Sequence, residues 1–117
     1  FDMGERSGFQ LVPAALESLR WLNALGPEAL SAALLERTRA LEEAVRPLGV
    51  TCDTPERAAH YLCLALPSDA PGDMAQRLSR EGVSASQRGA RLRVTPHLYT
   101  DDVDIARFAD AMAAAIA

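Results

Sequence analysis

The segment GVSASQRGARLRVTPHLYTDDVD, Gly82 to Asp104, holds the residues whose types and spacing point most clearly to chemistry. Strand alternation about Arg93 sets Leu92 and Val94 on one face, and Arg91, Arg93, Thr95 and His97 on the other. An apolar face behind a basic, hydroxylic one describes a sheet backed by helices, with an anion in front. A guanidinium is a planar fork that holds a carboxylate through two parallel hydrogen bonds. That carboxylate can belong to a substrate or to an Asp or Glu of the chain itself, and residue chemistry leaves both open.

Other candidates are weaker. His60 and His97 have no Ser, Cys or Asp at a spacing that suggests a triad, and read as structural or solvent-facing. Tyr99 reads as a packing residue with its hydroxyl at the surface. Asp101 and Asp102 look like paired carboxylates, but acids in the first turn of a helix complement its dipole. Gly4 and Gly8 bracket a loop with no strand before it, so no phosphate cradle is expected. Cys52 and Cys63 lie eleven apart with no CxxC and no histidine cluster, which argues against a metal site. A disulfide between them stays open in principle, although nothing in the chain looks secreted. Cys63, inside an apolar run, reads as a small core residue. No catalytic residue is assigned.

Composition narrows the function classes. The twelve basic residues are all arginine, so no lysine amine is present to form a Schiff base. A net charge of -4 gives no reason to expect nucleic acid. No apolar run approaches a membrane span and no signal-peptide core is visible, so no membrane partner is expected and the cytoplasm is the expected compartment.

The elements that must position Arg93 follow from periodicity. A chain of 117 residues suits one small domain: 1–9 a linker, 10–49 two helices, and 50–117 a β-β-α-β-β-α run. The first segment, Phe1 to Gly8, has no initiator methionine and reads as a loop already under way, which suggests a fragment of something longer. Leu11, Ala15, Leu16, Leu19, Leu22 and Leu25 make a helical stripe, stopped by Gly26 before Pro27 opens the next helix. That second helix runs to about Pro47 on Leu30, Leu34, Leu41, Val45 and Leu48. Val50 to Asp53 suits a short edge strand, and His60 to Pro67 the central strand. A short helix over about Pro71 to Glu81 stops at Gly82. Strands near 83–88 and 91–97 flank a tight turn at Gly89, and a last helix follows Thr100 as N-cap. The expected fold class is α+β, a two-layer sandwich of a largely antiparallel sheet of three to four strands with helices packed on one face.

Arg93-Val94-Thr95-Pro96-His97-Leu98-Tyr99-Thr100-Asp101-Asp102-Val103-Asp104 resembles the C-terminal signature of class V aminotransferase-like enzymes. These are fold-type I pyridoxal-phosphate (PLP) enzymes, among them cysteine desulfurases, kynureninases and isopenicillin N epimerase-like proteins. The entry Gly82-Val83-Ser84 is similar to theirs, and Phe1 to Arg6 with the following helix resembles the passage from their large domain into the small one. The chain departs from the pattern where Tyr99 runs directly into Thr100 without the usual Asn. It also has Glu5 where many members have a threonine that reaches a phosphate of the neighbouring subunit. The stretch Ser84 to Leu92 has no cysteine, which disfavours a desulfurase, and the kynureninase strand has one more residue before its tyrosine.

The resemblance implies a C-terminal small domain that supplies the arginine gripping the α-carboxylate of an amino-acid substrate. Arg93 and Thr95 would be its substrate-binding residues, and Arg6 a contact to the neighbouring subunit's cofactor phosphate. PLP would be held by a missing N-terminal large domain that carries the lysine, in a homodimer, with the fragment inactive alone and binding no cofactor itself. The other reading is a free-standing, non-catalytic α+β binding or interaction domain.

Overall fold

Alternating burial in three short strands decides which way the sheet faces. The computed structural model describes residues 11–54 and 56–117. It contains the helices α1 (Leu11–Leu25), α2 (Pro27–Val45), α3 (Met74–Arg80) and α4 (Asp102–Ile116), and the strands β1 (Leu62–Ala65), β2 (Ser86–Arg88) and β3 (Arg91–Val94). The strands form one antiparallel sheet in the order β1-β3-β2. Leu62, Leu64, Leu92 and Val94 are buried against side chains of α2, α3 and α4. The fold is α+β, with helices packed on a small antiparallel sheet.

The chain divides into two compact units, Phe1–Leu30 and Ser31–Ala117. In the first, α1 is stopped by Gly26, whose φ of +81° is a conformation that side-chain-bearing residues adopt at a cost. The helix carries the expected leucine stripe, yet none of its residues is buried, and Leu11 is 73% exposed.

In the second unit, the α2 stripe buries Leu34, Thr38, Leu41 and Val45. Thr38 was not expected in that stripe; its hydroxyl donates to the Leu35 carbonyl at 3.1 Å, so it enters the core already hydrogen-bonded. From α3 come Met74 and Leu78, and from α4 Ile105, Phe108, Ala111, Met112 and Ala115. The small Ala115 lies near α3, where Arg77 Nη1 donates to its carbonyl at 3.2 Å. Burying each large apolar side chain contributes about 1.5–3 kcal/mol, so this one-sided core is what holds the sheet flat against its helices.

Four expectations need correction. The apolar run 60–67 is not the central strand: β1 lies at one end of the order and β3 at the centre. Centrality goes to β3 because it pairs both with β2 across the Gly89 turn and with β1. The strand expected at Val50–Asp53 reduces to one bridge, Thr51 with Ala65. Pro55 follows within four residues and has no N–H to extend a ladder. Cys63 is not a core residue, since Leu62 and Leu64 take the inward positions and Cys63 is only half-buried.

The N-cap of α4 is Asp101, not Thr100. The Thr100 hydroxyl accepts from the His97 backbone N–H at 3.0 Å and closes the preceding turn. Asp101 then accepts from Val103 and Asp104, while Asp104 accepts from the Asp101 N–H, a reciprocal capping box. Among the described residues, no helix is long and apolar enough to cross a membrane.

Candidate functional site

The hairpin register builds the site. With Gly89 at the turn, Arg88 stands opposite Arg91 and Ser86 opposite Arg93. On the other side of β3, Arg93 stands opposite Cys63 and Arg91 opposite Ala65. Directly opposed residues of an antiparallel pair share a face. One row of the open face therefore reads Ser86, Arg93, Cys63, and the next reads Arg88, Arg91, Ala65. Arg91, Arg93, Thr95 and His97 are exposed and Leu92 and Val94 buried, as alternation predicts.

Arg93 and Thr95 are brought together. With Ser84, Ala85 and Ser86 they line a depression of about 300 Å³. On its β1 side the Arg93 guanidinium lies over the Tyr61 ring, 5.4 Å from the centroid, within cation–π range. A guanidinium steadied by an aromatic ring and bordered by three hydroxyls is suited to hold a carboxylate: the fork donates to both oxygens and the hydroxyls complete the shell.

The two origins left open for that carboxylate now separate. Among the described residues, Arg93 forms no ion pair. Of the two β3 arginines, the one that meets an acid among the described residues is Arg91, two residues back, which pairs with Asp53. The Thr51–Ala65 bridge is the reason, because it brings that segment alongside the Ala65–Arg91 pair. The Arg91 hydrogen bond holds the Asp53 carboxyl below its ordinary range, and Asp53 in turn raises the Arg91 guanidinium.

A second concavity, about 630 Å³, lies beyond Tyr61 and Cys63, with Arg39, Thr54 and Arg57 on its walls. Arg57 is already committed: Nη2 donates to Glu42 at 2.9 Å and Nη1 to the Cys52 sulfur at 3.3 Å. Its Nε–H is buried without an acceptor among the described residues. This arginine ties the 51–58 segment to α2 rather than waiting for a ligand.

The remaining candidates fall outside the site. His60 is exposed and edge-on to Tyr61, with ring centroids 5.0 Å apart. Tyr99 is not a packing residue: it is 81% exposed and stacked on His97, centroids 5.0 Å apart. Both cysteines are free thiols. Among the described residues, no group of three or more His, Cys, Asp and Glu could hold a metal ion. Arg6 lies outside the described residues.

Ser84, Ser86, Tyr61 and Arg88 were not singled out from the sequence. A two-residue turn at Gly89-Ala90 fixes the register of its hairpin, so Ser86 and Arg88 could have been found from that turn. Tyr61 could not, because its place beside Arg93 depends on β1 crossing to β3. No protein-family model matches the sequence, and neither does any curated protein.

Proposed function

We propose that this chain is the C-terminal small domain of a class V aminotransferase-like, PLP-dependent enzyme, in which Arg93 holds the α-carboxylate of an amino-acid substrate. The observation that carries this is the state of Arg93: presented on the open face of the sheet, stacked on Tyr61, bordered by Ser84, Ser86 and Thr95, and without a carboxylate partner among the described residues. A structural arginine would be expected to look like Arg91, which has its acid.

The domain's part in the reaction is positioning. Two hydrogen bonds from the guanidinium fork fix the carboxylate plane, and the hydroxyl of Thr95, on the same face, limits how the amino acid can rotate about that anchor. Fixing orientation in this way converts an encounter into an aligned complex before chemistry begins. The residues present do not by themselves accommodate PLP, since no lysine exists to carry it. Its electron-withdrawing chemistry would be supplied on the large domain. Amino-acid substrate, homodimer and cytoplasmic location belong to the same proposal.

The rival, a free-standing binding domain, would be favoured by a sheet covered on both faces. An exposed Arg93 face supports the enzyme-domain reading instead.

The test is Arg93→Gln in the protein that carries both domains. Amino-acid affinity should fall more than tenfold, about 1.4 kcal/mol or more, with the melting temperature little changed. Unchanged affinity would show that Arg93 is not the clamp.

A further inference from the structure

We propose that the concavity of about 630 Å³ beyond Tyr61 is a binding site in its own right, separate from the depression in front of Arg93, and that it takes a zwitterionic α-amino acid with an aromatic side chain.

The geometry keeps this space open. The α2 stripe buries Leu34, Thr38, Leu41 and Val45, whereas Leu35 and Arg39 lie one position further round the helix. Four residues apart, they share a face, and both line the concavity. The segment across from them is tied at one end by the Thr51–Ala65 bridge and at the other by the Arg57–Glu42 ion pair at 2.9 Å. Thr54, Ala58 and Cys63, which also line the concavity, are too small to fill it. Protein interiors are otherwise close-packed, and a gap of this size falls within the range of about 300–1,000 Å³ usual for small-molecule sites.

The walls select the ligand by charge. Arg57 is neutralised by Glu42 and adds no net charge. Arg39 and Glu56 remain: both are exposed, both line the concavity, and neither forms an ion pair with the other or with any described residue. An anion is attracted by Arg39 but repelled by Glu56, and a cation meets the reverse. A zwitterion is favoured by both, with its carboxylate on Arg39 and its ammonium on Glu56. Leu35, Ala58 and Tyr61 then offer apolar surface to its side chain, and contact with the Tyr61 ring favours an aromatic one. The Arg93 depression differs in this respect. Its lining among the described residues has an arginine and three hydroxyls but no carboxylate to receive an ammonium group.

The experiment is a calorimetric titration of the full 117-residue chain carrying Arg93→Gln, so that the clamp proposed above does not contribute. The probes are L-phenylalanine and two analogues with one charge each, hydrocinnamate and phenethylamine. L-Phenylalanine should bind saturably, and about fivefold or more tightly than either analogue. Arg39→Gln should weaken L-phenylalanine and hydrocinnamate but not phenethylamine, and Glu56→Gln should weaken L-phenylalanine and phenethylamine but not hydrocinnamate. Ala58→Trp, at an exposed position, should block L-phenylalanine while leaving the melting temperature little changed. Absence of saturable L-phenylalanine binding overturns the site, as does binding that survives Ala58→Trp. Affinity for L-phenylalanine that neither charge variant changes overturns the zwitterion assignment. Because Arg93 is replaced throughout, none of these results decides the clamp.

Discussion

The two faces of the sheet are made by the same three strands and obey different rules. On the covered face, Leu62, Leu64, Leu92 and Val94 are enclosed by α2, α3 and α4, and each position is set by shape. On the open face, Arg88, Arg91, Arg93, Ser86 and Cys63 stand in rows whose members have different fates. Arg91 is neutralised by Asp53, while Arg93 lies on Tyr61 facing a depression lined with hydroxyls. The covered face accounts for why the domain folds. The open face holds groups whose charge nothing nearby in the described chain absorbs, and such groups are where a function can be sought.

The contrast breaks most visibly under truncation. Leu64→Ala removes a fully buried side chain and should cost about 2–5 kcal/mol in chemical denaturation, whereas Cys63→Ala, its neighbour on the other face, should stay within about 1 kcal/mol. Similar losses at both positions would mean that the open face is itself a core. A smaller effect is expected at the end of the helix that covers the sheet. Asp101→Ala deletes two hydrogen bonds to backbone N–H groups at 2.9 and 3.0 Å and should cost about 1 kcal/mol, read as a lowered melting temperature.

The smallest effect should come from the open face itself. Asp53 has its pKa lowered in the folded state, chiefly by the hydrogen bond from Arg91. A group with a depressed folded pKa binds fewer protons folded than unfolded, so its stabilisation is complete above the unfolded pKa and is lost as pH falls through the folded value. Asp53→Asn should therefore be slightly less stable than the parent at neutral pH, and the gap should close in acid. Because the pair is exposed, added salt should shrink the gap as well. A gap that widens in acid would contradict the assignment.

Much of the fold was legible because its signals are local. The stops at Gly26 and Gly82, the leucine stripes of α1 and α2, and the two-faced strand at 91–94 all depend on residues a few positions apart. The misplaced features depend on partners. Run 60–67 looked central because it is apolar on both sides, but its outward residues Tyr61 and Cys63 border a concavity beyond the sheet edge. Thr100 looked like a cap until its hydroxyl was seen to close the His97 turn. Tyr99 looked like packing because aromatic residues usually are, yet no core reaches it. At the candidate site, alternation alone puts Arg93 and Thr95 on one face, while the places of Ser84, Ser86 and Tyr61 beside them follow only from strand pairing.

What the sequence determined by itself is therefore the side on which each residue of β3 falls, because alternation is a property of the extended backbone. It also determined that no lysine is present to bind a carbonyl cofactor. Tertiary structure alone decided which of the two β3 arginines pairs with an acid among the described residues. Asp53 and Arg91 lie 38 residues apart, and nothing local distinguishes Arg91 from Arg93 as the partner of that acid. The choice was made where the Thr51–Ala65 bridge brought a distant segment beside one row of the face and left the next row open.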